Sequence, residues 1–273
     1  MRAPEDGYLY IAHGERYLKE AITSAASLKK VDKEAHATLI TDAPFAAPVF
    51  DRVIVKELTL PEEFAYEYMH KVKHMYSSSP YRRTMFLDTD TYFYRNCRGL
   101  FNLLDYWDAC LCQDPVDSIS SAGGDDGYQP YNTGVFIFLK SEANEVFFNK
   151  WLEIYKEQCA QANGKYMPDQ PALARAVLES RMRVYAMRNN YNARVQYYIG
   201  LVGNVSIVHG RFPDFERLKK KLHPTTKSRG WDPYKQKCYY YRRNIFTRLR
   251  LLLGKLLGGN LKAFVRNHVL RKA

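Results

Sequence analysis

No stretch of this 273-residue sequence stays apolar for the roughly 18 residues that a membrane-spanning helix needs. The opening run, "MRAPEDGYLYIAHGE", also lacks the apolar core of a secretory signal. These two absences together predict a cytoplasmic protein. The cysteines, Cys97, Cys110, Cys112, Cys159 and Cys238, are odd in number, scattered, and never spaced as C-x-x-C. That pattern suggests neither a zinc site nor a disulfide framework, and predicts buried, idle thiols in a reducing compartment. No internal repeat or low-complexity tract stands out. Hydrophobic residues at 46% and charged residues at 26% are ordinary for a globular chain, here long enough to bury a sizeable core.

Acidic residues are scarce at one end. Residues 211–273 hold 18 Lys and Arg against Asp214, Glu216 and Asp232, a net of +15, whereas residues 1–210 carry a net of −3. The basic balance of the whole chain is therefore a property of its tail, and residues 213–273 are read as an extension to a domain spanning 1–212. From Asn244 onward, Ile245, Leu249, Leu252 and Leu256 fall on one helical face and Arg248, Lys255, Lys262 and Arg266 on another, with Gly258 and Gly259 able to divide the helix. Such a segment suits an anionic membrane surface, at the inner face for a cytoplasmic protein. Packing on the domain's own core and docking to a partner protein are the other readings. Nucleic acid is not expected, because nothing like a nucleic-acid fold precedes the basic "YYYRR" run.

The first 212 residues alternate strand and helix. "GYLYIAHG" reads as a buried strand ending in a turn, and the next segment spaces Leu18, Ala21, Ile22, Ala25 and Leu28 along one helical face. "HATLITD" and "RVIVKEL" are short β-branched runs, "EEFAYEYMHKVKHMYSSSP" reads as helix up to Pro80, and "RTMFLD" as a strand. Helix is expected again at "RGLFNLLD", strand at "DACLCQ", a long loop at "DPVDSISSAGGDDGYQP", strand at "TGVFIFL", and helices at "SEANEVFFNKWLEIYKEQ" and "MPDQPALARAVLES". "VSIVHG" is the last apolar run. The pattern predicts an α/β fold with a mostly parallel central sheet flanked by helices.

In sheets of this kind active groups gather at the carboxyl ends of strands, and Asp88 and Asp90 of "LDTDT" lie at such an end. Two carboxylates on a tight turn suit a hard divalent ion that also bridges phosphates. The stretch also imitates the D-x-D-x-T nucleophile loop of haloacid dehalogenase-type phosphatases, with "GGDDG" as a second acidic motif. The imitation fails: 87 residues precede Asp88, and no lysine lies between Lys73 and Lys140.

The order of segments resembles a GT-A glycosyltransferase, closest to the glycogenin and lipopolysaccharide galactosyltransferase family (family 8) and its nucleotide-diphospho-sugar transferase relatives. "ERYLKEAITSAASLKK" is similar to that family's first helix, "YRRTMFLDTDTYFYRNCRGLF" to its metal segment, "YNTGVFIF" to its "FNSGV" strand, "PDQ" to its "DQ" turn and "VSIVHG" to the strand bearing its metal histidine. The likeness spans residues 8 to about 212.

The resemblance implies that Asp88, Asp90 and His209 ligate Mn2+ or Mg2+, which would bind the diphosphate of a nucleotide-sugar donor, most simply a UDP-sugar. It places Thr89 and Gly210 among the donor contacts, Asn132 on the sugars, Asp169 on donor-sugar hydroxyls and Gln170 near the anomeric carbon. For Asp169 a plain helix cap is the alternative. A glutamine cannot serve as a general base, which points to retention of configuration. An inverting enzyme needs a carboxylate, for which Asp114, Asp125 and Asp126 are the candidates. Ala12, His13 and Tyr17 are expected at the nucleotide, with Tyr17 stacking on the base. Lys71 or Lys73 is expected at the diphosphate, unless a solvated helix face claims either, and Arg83 is a weaker candidate.

One departure stands out. The family follows its histidine with Gly-x-x-Lys-Pro-Trp, where this chain has "HGRFPDFERLKKK", so Arg211 is the candidate to replace that lysine. A glycan, lipid-linked or otherwise, is the expected acceptor. A non-catalytic adaptor that keeps the fold, and a nucleotidyltransferase, are the rivals. The latter lacks its Gly-rich signature in "AHGERY".

Overall fold

The computed structural model describes residues 4–58, 68–114, 131–162, 167–222 and 227–240. A seven-stranded sheet forms its centre. β1 (Asp6–Ile11), β2 (Ala37–Thr41), β3 (Arg52–Val55) and β4 (Arg83–Leu87) run parallel in the order β3-β2-β1-β4. β7 (Tyr131–Leu139) pairs antiparallel with β4 and with β6 (Ala109–Gln113), and β8 (Val184–Met187) pairs parallel with β6. The expectation of a mostly parallel sheet holds, with β7 running against both of its neighbours.

Strand alternation splits the core into two layers. Tyr8 and Tyr10 of β1 share one face with Leu39, Met85, Leu87 and Ile137, against α1 (Gly14–Val31). Leu9 and Ile11 point the other way, toward Phe86, Phe136 and Phe138, and toward Phe147 and Trp151 of α3 (Glu142–Gln161). The face of α1 predicted from Ala21, Ala25 and Leu28 is buried, and Ser24 and Ser27 are buried with it. These small side chains bond inward: Ser24 Oγ lies 3.1 Å from Tyr10 Oη and 2.7 Å from Thr91 Oγ1, and Ser27 Oγ accepts from the Phe93 amide at 2.9 Å. They satisfy polar groups that burial would otherwise penalise, and draw β5 (Thr91–Phe93) onto the helix.

Two local expectations change. "RGLFNLLD" forms a 3-10 segment at Arg98–Asp105 rather than an α-helix. Of the helix expected before Pro80, the described part is α2 (Met69–His74), followed by a turn. The beginning of that helix, the Gly- and Asp-rich loop with Asp125 and Asp126, and the basic helix after Asn244 lie outside the described residues.

β5 is an element with no clear signature in the sequence. It pairs antiparallel with β11 (Ile207–His209), which pairs parallel with β9 (Ala193–Arg194), and this small sheet stands apart from the central one. Past the boundary expected at residue 212, the chain continues in the same compact unit to Cys238. There α5 (Phe215–Leu222) receives the Tyr94 hydroxyl on the Phe215 carbonyl at 2.6 Å, and β12 (Arg229–Asp232) pairs with β10 (Ile199–Leu201). All five cysteines are free and buried, as expected, and burial pushes the Cys97 and Cys110 thiols up to about 12.

Candidate active site

The chain leaves β4 at Leu87 and turns at once. Asp88 donates its amide to the Gly134 carbonyl at 2.9 Å, and its own carbonyl accepts from the amide and hydroxyl of Thr91 at 3.2 and 2.9 Å. The turn is thus pinned to β7 on one side and leads directly into β5 on the other. Because His209 sits opposite Thr91 in the β5/β11 register, it comes to rest beside both aspartates. Its Nε2 lies 3.3 Å from Asp90 Oδ1 and 3.6 Å from Asp88 Oδ2, and one ligand atom from each of the three residues falls within 4.8 Å of the others.

The histidine is oriented from behind. Its Nδ1 lies 2.9 Å from Asn192 Oδ1, while Asn192 Nδ2 donates at 2.8 Å to Asn132 Oδ1, which also accepts from the Gly134 amide at 2.9 Å. An amide oxygen only accepts, so Nδ1 donates to it and Nε2 is left facing the two carboxylates. Gly134 is required here: a Cβ would sit 2.2 Å from His209 Cε1. Burial raises the Asp90 carboxyl, but the neighbouring His209 and Arg211 outweigh it and hold the group below its ordinary range, so it is ionised. Two carboxylates and an imidazole nitrogen could hold a divalent metal ion.

A second charged group adjoins the first. Lys71, buried in α2, places Nζ 2.9 Å from Asp88 Oδ1, 3.3 Å from Asp169 Oδ2 and 2.7 Å from Thr133 Oγ1, and Thr133 donates to Asp169 at 2.9 Å. Burial disfavours the ammonium, yet Asp169 and Asp88 more than compensate and its pKa is raised. Asp169 is almost fully buried at the start of α4 (Gln170–Ser180), but its carboxylate makes no capping bond. The helix-cap alternative is therefore set aside for an interior ion pair. Gln170 follows it, half-buried, as the first residue of α4.

At the end of β1, Ala12 is buried and donates its amide to the Ile40 carbonyl at 3.0 Å. The His13 ring stands edge-on to His70 at 4.8 Å and tilted toward Tyr17 at 5.8 Å. Arg211 holds its guanidinium 5.9 Å from the Tyr17 ring and 3.6 Å from Asp90 Oδ2, and donates to Glu20 at 2.7 and 3.1 Å. Thr89 donates to the same Glu20 at 3.0 Å. Gly210, at φ +120°, donates its amide to the Asp90 carbonyl at 3.0 Å, in a conformation that excludes most side chains.

Two expected residues stand elsewhere. Lys73 is exposed, because two residues along a helix turn the side chain to the far side from Lys71. Arg83 begins β4, at the opposite end of the strand from Asp88, and pairs with Asp6 at 2.6 Å and Asp105 at 3.3 Å. Asp114, a candidate inverting base, is buried in an ion pair with Arg194. The sequence assigns no role to Asn192, Thr133, Glu20 or His70; the fold gathers them into the site.

Residues 83–212 match the family described as nucleotide-diphospho-sugar transferase. No curated protein matches the chain in sequence. Among solved structures, the apo form of mouse xyloside xylosyltransferase 1 is 15% identical with a TM-score of 0.51, over 76% of this chain and 98% of that one. The galactosyltransferase LgtC, in complex with donor and acceptor sugar analogs, is 13% identical with a TM-score of 0.50, over 85% and 93%. The glycosyltransferase GlyE of Streptococcus pneumoniae TIGR4 is 13% identical with a TM-score of 0.52, over 81% of this chain and 57% of GlyE. Through the segment that bears Asp88, Asp90 and His209 the chain resembles the nucleotide-diphospho-sugar transferases, and it shares the GT-A fold of these glycosyltransferase structures.

Proposed function

We propose that the protein transfers a hexose from a nucleotide diphosphate sugar, a UDP-sugar in the simplest case, to a glycan or lipid-linked glycan, with a divalent metal and with retention of anomeric configuration. The observation that carries the proposal is the convergence of Asp88, Asp90 and His209 within 4.8 Å at the carboxyl end of β4. Asp88, Asp90 and His209 Nε2 would hold Mn2+ or Mg2+. When bound, the ion supplies a Lewis acid that offsets the negative charge left on the departing nucleoside diphosphate. Tyr17, with Ala12 and His13 beside it, offers an aromatic face to the base. Arg211 lies between that face and Asp90, where a diphosphate running from base to metal would pass.

In the reaction, the bond between the anomeric carbon and the diphosphate oxygen breaks as an acceptor oxygen bonds to the same carbon, and the acceptor's proton leaves with the departing diphosphate. Asp169 and Gln170 stand at the donor-sugar side, with Lys71 bridging Asp169 and Asp88. Retention is proposed because Gln170 cannot take a proton and, of the candidate bases, Asp114 is already held by Arg194, while Asp125 and Asp126 lie outside the described residues. The acceptor would be met at an anionic membrane surface reached through the basic tail.

The test is to incubate the protein with Mn2+ and a panel of nucleotide sugars, following nucleoside diphosphate release. Asp90→Ala is expected to lower the rate at least about 100-fold. Release that is equal in both proteins, or absent with every donor, would favour a non-catalytic adaptor instead.

A further inference from the structure

Glu20 lies in the segment similar to the family's first helix, and the resemblance gives it no role, yet it is a node of the site. From the second turn of α1 it accepts Thr89 Oγ1 at 3.0 Å, Arg211 Nε and Nη2 at 2.7 and 3.1 Å, and Arg16 Nε at 3.4 Å. One carboxylate therefore ties the middle residue of the Asp-x-Asp turn to the arginine that follows the metal histidine. Arg211 has a long, flexible side chain and is half exposed, so without an anchor its guanidinium would sample many positions. Anchored, it lies over the gap between the Tyr17 ring and Asp90.

We propose that Glu20 is a positioning residue that holds Arg211 in place for the donor diphosphate. The proposal rests on the donor reading above. The two-nitrogen contact to Glu20 uses Nε and Nη2, and Nη1 is the nitrogen nearest Asp90, so the guanidinium keeps one edge turned toward the metal carboxylates. The charge of Glu20 also offsets that of Arg16, which would otherwise repel Arg211 on the same Tyr17 ring. A free lysine needs no such brace, since its ammonium is a point charge; the planar guanidinium must be oriented to present its donors.

The experiment measures UDP binding with Mn2+ by titration calorimetry for wild type, Glu20→Gln, Arg211→Ala and the double variant, with thermal unfolding of each beside it. Glu20→Gln keeps the shape and removes the charge. It is expected to weaken UDP binding about tenfold, as for loss of a charge-assisted bond, with stoichiometry and Tm unchanged. In the Arg211→Ala background the same change is expected to have no effect. Wild-type affinity in Glu20→Gln, an equal loss in both backgrounds, or a loss of stoichiometry or Tm in place of affinity would overturn the proposal. Should wild type bind neither UDP nor any other nucleoside diphosphate, the donor reading fails and this inference fails with it.

Discussion

Asn192 illustrates how one neutral side chain sets the chemistry of its neighbours. It has no charge, but by accepting from Nδ1 it orients the His209 ring so that Nε2 faces the carboxylates. Groups behind metal ligands act through orientation and basicity, so Asn192→Ala is expected to weaken Mn2+ affinity by about 10- to 100-fold while leaving the fold intact, as measured by metal titration beside thermal unfolding. Unchanged affinity would mean that the ring is held by β11 alone. Asp88, Asp90 and His209 were readable from residue type and order, but Asn192 was not. An asparagine in "NNYNAR" has no distinguishing spacing, and its role exists only because the chain returns beside Asn132. The same holds for Lys71 against Lys73. Composition and periodicity left both open, and helical phase in the folded chain chose the one that faces Asp169.

At the scale of elements, α2 sets a buried cation, Lys71, beside a half-buried imidazole, His70. Burial first, then the charges of His13, Lys71 and His74, push the His70 imidazole down to about 3 from its ordinary 6.5, and its Nδ1 has no hydrogen-bond partner among the described residues. The folded state therefore binds a proton less readily than the unfolded chain. Stability from the neutral ring is full above pH 6.5 and declines as pH falls toward 3, by up to about 1.4 kcal/mol per unit. Between pH 7 and pH 5 the wild type is expected to lose stability more steeply than His70→Phe in denaturant unfolding; parallel slopes would show that the ring titrates normally. The buried run of β1 and the helical spacing of α1 were legible because burial on both faces of a strand and on one face of a helix leaves those patterns. β5 was not, because three residues after a turn are too short to show a period, and its place is set by Ser24, Ser27 and β11.

For the molecule as a whole, charge is segregated. Residues 241–273 contain nine Lys and Arg and no acid, whereas residues 1–210 are slightly negative. Among the described residues no helix is long and apolar enough to cross a membrane. A chain ending at Tyr240 is expected to lose most flotation with anionic liposomes while keeping donor hydrolysis and its Tm; undiminished flotation would move membrane binding to the compact unit. The sequence by itself determined the α/β class, the two core layers, the acidic turn and the order of family-like segments, since each is written in local periodicity or in residues adjacent along the chain. Only the tertiary structure decided that Asn192 orients His209, that Arg83 faces away, and that Glu20 holds Arg211. Those outcomes depend on strand register and on contacts between residues up to 191 positions apart, which no local pattern encodes.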